Sequence, residues 1–157
     1  MENNQKSQLD SLLKEVDLII RSDTDTTKIL KDICILLISQ VEYYHWVGFY
    51  LTGTESERVL KLGPYIGAPT EHTRIKFGEG ICGQVAESNE TMVIADVNAE
   101  SNYLSCSSDV NSEIVVPVIR DGKMFAQIDI DSHDLDPFGE FDHLLLESIA
   151  KKLAPLF

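Results

Sequence analysis

Asp129 and Asp131 lie two residues apart in the otherwise apolar run Ile128-Asp129-Ile130-Asp131, and Glu113 precedes a second apolar run, Ile114 to Ile119. Cys106 stands seven residues before Glu113, in the polar stretch Tyr103-Leu104-Ser105-Cys106-Ser107-Ser108-Asp109. Carboxylates gathered at the end of a hydrophobic hairpin carry a high desolvation cost unless a ligand, a proton or a partner charge relieves it. Crowding also raises their pKa values, so one acid can keep its proton near neutral pH and serve as a general acid. The same groups can instead hold a substrate ammonium. A reachable thiol adds a nucleophile, although acids nearby disfavour its thiolate, which then needs backbone N–H groups or a ligand cation. The competing reading is a solvated sheet face and a tolerated surface cysteine. Val115, Ile119 and Phe125 share the face with the acids, which argues that it is at least half buried.

The faces follow from the hairpin register. Glu113 to Ile119 and Lys123 to Asp131 flank Arg120-Asp121-Gly122 and read as two antiparallel strands. A two-residue loop at Asp121-Gly122 would pair Arg120 with Lys123 and set Ile114 opposite Asp129, mixing polar and apolar residues. A three-residue loop with Gly122 left-handed pairs Ile119 with Lys123 instead. One face then carries Ile114, Val116 and Val118 with Met124, Ala126, Ile128 and Ile130. The other carries Glu113, Val115, Pro117 and Ile119 with Phe125, Gln127, Asp129 and Asp131. A one-residue slip exchanges faces, so the clean apolar face selects this register and sets Glu113 across from Asp129. Pro117 cannot donate a ladder bond and needs an outward or bulged position.

Other residues have weaker signals. Cys82 opens a helix after Gly78 and Gly80, where the helix dipole favours a thiolate; packing at a helix start explains the position equally well. Gly78-x-Gly80-x-x-Gly83 has the spacing of a dinucleotide fingerprint but lacks a strong preceding strand and a following βαβ unit. Trp46 and Tyr50, four apart, share a strand face and can wall a small apolar pocket, or simply pack in the core. His45, His72, His133 and His143 have no metal-ligand spacing and read as surface or loop histidines. Three carboxylates would suit Mg²⁺ or Ca²⁺, yet no loop has EF-hand spacing. No metal and no cofactor is expected.

Apolar periodicity supplies the elements that must position these groups. Leu9, Leu12, Leu13, Val16, Ile19 and Ile20 give an amphipathic helix over about Ser7 to Arg21, and a second runs from Thr26 to Val41. The second is apolar nearly all round from Ile33 to Ile38, as for a helix buried or packed on a sheet and a second chain; Cys34 within it reads as an inert core residue. Strands follow at Trp46–Leu51, Val59–Leu62 and His72–Ile75, with Gly63 to Pro69 as loop. A helix to Ser88, a strand at Met92–Asp96 and a long polar loop from Val97 to Ser112 lead to the hairpin. A last helix from Phe138 to Leu153 carries Phe141, Leu144, Leu145, Ile149 and Leu153 on its apolar side. This order indicates an α+β fold with a central, mostly antiparallel sheet flanked by helices. The 157 residues form one domain, with N-terminal helices over 1–41 and the sheet core and closing helix over 44–154.

A net charge of −13 argues against nucleic acid or an anionic membrane as partner. No apolar run is long enough to cross a bilayer, and no secretory signal pattern opens the chain, so the expected location is cytoplasmic. The 3 cysteines there suggest catalysis, redox work or burial rather than a disulfide framework.

Five motifs in order carry a resemblance: Trp46-Val47-Gly48-Phe49-Tyr50-Leu51, Leu62-Gly63-Pro64-Tyr65-Ile66-Gly67, Gly78-x-Gly80-Ile81-Cys82-Gly83, Ser112-Glu113-Ile114-Val115-Val116-Pro117 and Ile128-Asp129-Ile130-Asp131-Ser132. Each alone is weak; the ordered set closely resembles the free methionine-(R)-sulfoxide reductases, single-domain GAF proteins. The resemblance implies reduction of free L-methionine (R)-sulfoxide to methionine. It implies that Cys106 attacks the sulfoxide sulfur and becomes a sulfenic acid, that Glu113, Asp129 and Asp131 hold and polarise the oxygen, and that Trp46 packs on the substrate methyl group. Where the family usually carries a resolving cysteine before a Thr-Arg-Ile-like strand, this chain has His72. Resolution then falls to Cys82 or to an external thiol, or turnover is lost. Cys82 is the expectation, with thioredoxin or a small thiol as reductant and a homodimer as the assembly. Gln127, where the family commonly has a smaller residue, is a second departure. The alternative is a non-catalytic GAF module that binds or senses a small molecule such as an amino acid.

Overall fold

Asp25 starts the first deeply buried helix: its carboxylate accepts from the N–H groups of Thr27 and Lys28, satisfying donors that a helix start leaves open. In the computed structural model, which describes residues 1–53, 56–104 and 107–157, this helix is the second of four. The order is α1 (Asn3–Ser22), α2 (Thr26–Gln40), β1 (Trp46–Thr52), β2 (Val59–Ile66), β3 (Arg74–Lys76), α3 (Gly80–Ser88), β4 (Met92–Ile94), β5 (Ser112–Arg120), β6 (Lys123–Ser132) and α4 (Glu140–Leu153). The six strands form one sheet in the order β3-β2-β1-β6-β5-β4, with every pair antiparallel. The α+β arrangement expected from the sequence is therefore the one observed.

The sheet separates two cores. On one face, Val47, Phe49, Ile114, Val116, Val118, Ala126, Ile128 and Ile130 pack against α1, α2 and α4. On the other, Trp46, Tyr50, Val115 and Met124 pack with Ile81, Cys82 and Val85 of α3. Cys34 is fully buried in the first core, and burial pushes its thiol up to about 12, as befits an inert residue. In α4 the buried positions include Leu145 and Leu146, whereas Leu144, expected inside, is 40% exposed. No helix among the described residues is long and apolar enough to cross a membrane.

The β5–β6 hairpin differs from the expected register. Asp121 and Gly122 both take positive φ, 53° and 74°, and Arg120 pairs with Lys123 across a two-residue turn. Such turns match the twist of antiparallel strands, and Asp-Gly is among the pairs that favour them. A bulge follows: Ile119 faces Met124 and Val118 faces Ala126, leaving Phe125 as the extra residue. The bulge restores the alternation that the short turn alone would have inverted, so the apolar face from Ile114 to Ile130 survives. Beyond it Glu113 pairs with Asp131 and Val115 with Asp129, so Glu113 lies diagonal to Asp129 rather than across from it. Met124 changes face and joins the α3 side, while Phe125 stacks on Phe157. A second difference is β2, which runs on through Gly63-Pro64-Tyr65, expected to be loop. Pro64 falls in a register shift between β1 and β2, where its missing N–H breaks no ladder bond.

Candidate active site

Three rows of side chains cross the α3 face of the central strands. Glu113, Asp131 and Trp46 form one row, Val115, Asp129 and Gly48 the next, and Pro117, Gln127 and Tyr50 the third. Period-two alternation on β5 and β6 therefore delivers all three acids to one side. There they are sealed under α3: Glu113 is 5% exposed, and Asp129 and Asp131 are each 1% exposed. Gly48 is small because the Trp46 ring folds over it; a Cβ there would lie 2.4 Å from the indole.

Cys82, on the first turn of α3, points into this cluster. Its thiol donates to Asp129 Oδ2 at 3.3 Å and lies 3.8 Å from Glu113 Oε1. Burial, then the charges of Asp129 and Asp131, push the Glu113 carboxyl well above its ordinary value. Burial also raises Asp129, against hydrogen bonds from Glu113 and Cys82 that lower it. Of the two carboxyls, Glu113 is the one held further above its ordinary value, with Asp129 the acceptor of its hydrogen bond. Cys82 corrects the sequence expectation: burial and the charges of Asp129 and Glu113 push its thiol well up, overriding the helix dipole that would favour a thiolate.

Asp142 shows what a structural buried carboxylate looks like in the same protein. It is also 1% exposed, but its oxygens accept from Tyr43 Oη at 2.8 Å, Tyr44 Oη at 2.6 Å and the Gly139 N–H at 2.8 Å. Asp129, by contrast, leaves Oδ1 buried with no hydrogen-bond partner among the described residues.

A small cavity of about 10 Å³ opens beside these groups, lined by Tyr50, His72, Ile75, Glu79, Gly80, Ile81, Cys82, Leu104, Glu113 and Asp129. That volume suits about one water molecule and is far too small for an amino acid, so binding one requires a wall to move. Leu104 forms one wall and closes on Gly80, whose φ of +63° and lack of a Cβ permit the contact. Asn102 ties the same segment down. Its Oδ1 accepts from the Gly80 N–H at 2.8 Å, its Nδ2 donates to Gly78 O at 2.9 Å, and its carbonyl accepts from Gln84 Nε2 at 3.2 Å. The glycines of the apparent dinucleotide fingerprint thus serve the start of α3 and this tie.

Glu113, Asp129, Cys82 and Tyr50 meet at one cavity, with Asp131 beside Glu113 in the sheet. Tyr50 donates its hydroxyl to His72 O at 2.8 Å. Trp46 does not line the cavity: it stacks on Tyr65 with centroids 5.2 Å apart and donates Nε1–H to Ala68 O at 3.0 Å. Cys106 lies outside the described residues. His72 is the residue whose place at the cavity the histidine spacing missed. Gln127 is fully buried, donating Nε2–H to Cys82 O at 3.1 Å, so it supports the first turn of α3.

The GAF domain family matches residues 25–155. The free methionine-R-sulfoxide reductase of Saccharomyces cerevisiae is 42% identical over 108 residues, 68% of this chain and 59% of that protein. The X-ray structure of free methionine-R-sulfoxide reductase from Neisseria meningitidis in complex with its substrate superposes with a TM-score of 0.91 at 34% identity, covering 100% of this chain and 92% of that one. The substrate complex of the Staphylococcus aureus fRMsr does so with a TM-score of 0.85 at 32% identity, over 94% of each chain. With this fold, these acids and these relatives, the chain belongs to the free methionine-R-sulfoxide reductases of the GAF domain family.

Proposed function

We propose that this protein reduces free L-methionine (R)-sulfoxide to methionine, with Cys106 as the attacking thiol. The observation that carries the reading is the burial of Glu113 and Asp129 together at one cavity, where burial and the neighbouring acids push the Glu113 carboxyl well up. Sulfoxide reduction needs a proton on a departing oxygen, and a neutral carboxylic acid in a dry site supplies one. Asp131, next to Glu113 in the sheet, favours the neutral acid through its charge.

In this mechanism the Cys106 sulfur attacks the sulfoxide sulfur while Glu113 protonates the oxygen. Oxygen passes to Cys106, giving a sulfenic acid and methionine. The Cys82 thiol then attacks the sulfenic sulfur, its proton passing by way of Asp129 to the departing hydroxyl, so that a Cys106–Cys82 disulfide forms and water leaves. Thioredoxin or a small thiol restores both thiols, which suits a reducing, cytoplasmic setting. Tyr50 supplies an apolar wall at the cavity, and Trp46 covers Gly48 on the same sheet face.

A non-catalytic GAF module is the competing reading, and His72 in place of a resolving cysteine is the observation that favours it. Methionine release from separated R and S free sulfoxides, with thioredoxin and with dithiothreitol, discriminates. Release from the R isomer alone is expected. Tight binding of either isomer without release would establish the competitor.

A further inference from the structure

The donor atoms at the base of the cavity have the spacing of a metal site. Cys82 Sγ lies 3.3 Å from Asp129 Oδ2 and 3.8 Å from Glu113 Oε1, and one ligand atom from each residue lies within 4.8 Å of the other two. A tetrahedral zinc ion with Zn–S about 2.3 Å and Zn–O about 2.1 Å spans an S···O edge of about 3.6 Å. The two observed edges bracket that length. Independently, Asp129 Oδ1 is buried with no hydrogen-bond partner among the described residues, on a residue that lines the cavity.

We propose that Cys82, Glu113 and Asp129 form a three-donor site for a divalent cation of the zinc class, with the fourth position facing the cavity. A sulfur donor beside two carboxylates selects Zn²⁺, Co²⁺ or Cd²⁺ over Mg²⁺ and Ca²⁺, which take oxygen alone. A dication also relieves the repulsion among acids that folding has crowded together. The cavity, about 10 Å³, leaves room for one bound water as the fourth ligand. Binding displaces the thiol and carboxyl protons, so affinity rises with pH. The cation occupies the acids that the proposed reduction uses, which makes it a competitive inhibitor; that consequence alone rests on the reductase reading.

The test is an anaerobic titration of the reduced, chelator-treated protein with Co²⁺. A thiolate-to-cobalt charge-transfer band saturating at one equivalent, bleached by one equivalent of Zn²⁺, is expected. Cys82→Ser should lose the band and Glu113→Gln should weaken binding at least tenfold, both with parental circular dichroism, whereas Cys106→Ser should keep the band. Absence of the band in the parent, its survival in Cys82→Ser, or its loss in Cys106→Ser would overturn the assignment. Sulfoxide reduction measured in chelator separates the two ideas. A protein that reduces but binds no cobalt refutes only the metal site, and one that binds cobalt but never reduces refutes only the reductase.

Discussion

Glu113→Gln removes the titrating proton of the cluster while keeping a donor of the same shape toward Asp129. Folded, Glu113 is held well above the ordinary 4.5 by burial and by Asp129 and Asp131; unfolding returns it to about that value. Above pH 4.5 the native state therefore binds one more proton than the unfolded chain. The sign is then fixed: this contribution to stability is fully present below the unfolded value and is lost as pH rises through the folded one. The loss runs at about 1.4 kcal/mol per pH unit for as long as the proton stays bound. Asp129, raised from 3.8, acts in the same direction, whereas Cys82 contributes nothing until pH passes the ordinary thiol value of 9.0. Urea unfolding midpoints of parent and variant, with chelator present between about pH 5 and about pH 8, read the difference. The variant should gain on the parent by about 1.4 kcal/mol per pH unit from the lower end of that range, and its reduction of the free sulfoxide should be lost. A difference that stays constant with pH would mean that Glu113 is already ionised in the native protein, and the buried-acid argument would fail.

Cys106→Ser should abolish reduction of the free (R)-sulfoxide, whereas Cys82→Ser should slow only recycling by thioredoxin; equal activity of Cys106→Ser and the parent would refute the nucleophile. Mass spectrometry of an oxidised sample should find Cys106 joined to Cys82, and adducts of Cys106 with small thiols alone would mean external resolution. Asn102→Ala removes two hydrogen bonds worth about 1–2 kcal/mol together, so amide exchange over 97–104 should quicken while α4 is unaffected; unchanged exchange there would show that Asn102 does not hold the segment. Gly48→Ala sets a Cβ 2.4 Å from the Trp46 ring and 2.7 Å from Tyr65 Cβ, and should cost about 1–3 kcal/mol, read as a lower Tm; an unchanged Tm would contradict the packing. Leu18 and Ile35, 65% and 45% exposed on the N-terminal helices, suit a homodimer, so light scattering at micromolar concentration should give twice 17.6 kDa; the monomer mass would refute it.

The elements and the side of the sheet that carries the acids were legible in the sequence, because apolar periodicity is imposed by burial on one face. Ile114, Val116, Val118, Ala126, Ile128 and Ile130 could face only the core. The register was not legible, since a bulge at Phe125 leaves no local signature: a three-residue loop and a two-residue turn plus a bulge preserve the same alternation. Leu144 and Leu146 exchange roles because both lie near the edge of the α4 stripe, where neighbouring packing decides. The upward shift of the Cys82 thiol was not legible for a related reason. A helix start favours a thiolate only where charge is tolerated, and the acids that forbid it come from strands more than thirty positions away in the chain. His72 reaches the cavity through the loop before β3, which no periodicity marks.

Phe125 is the surplus residue that the hairpin absorbs in a bulge. Deleting that one residue while the Asp121-Gly122 turn is kept would leave Ile119 opposite Met124 and Val118 opposite Ala126 in an unbroken ladder, with Asp129 and Asp131 still on the α3 side. The hairpin tip can therefore shed one residue without moving the acids, whereas a residue lost between Ala126 and Asp129 with no new bulge would turn them toward the other core.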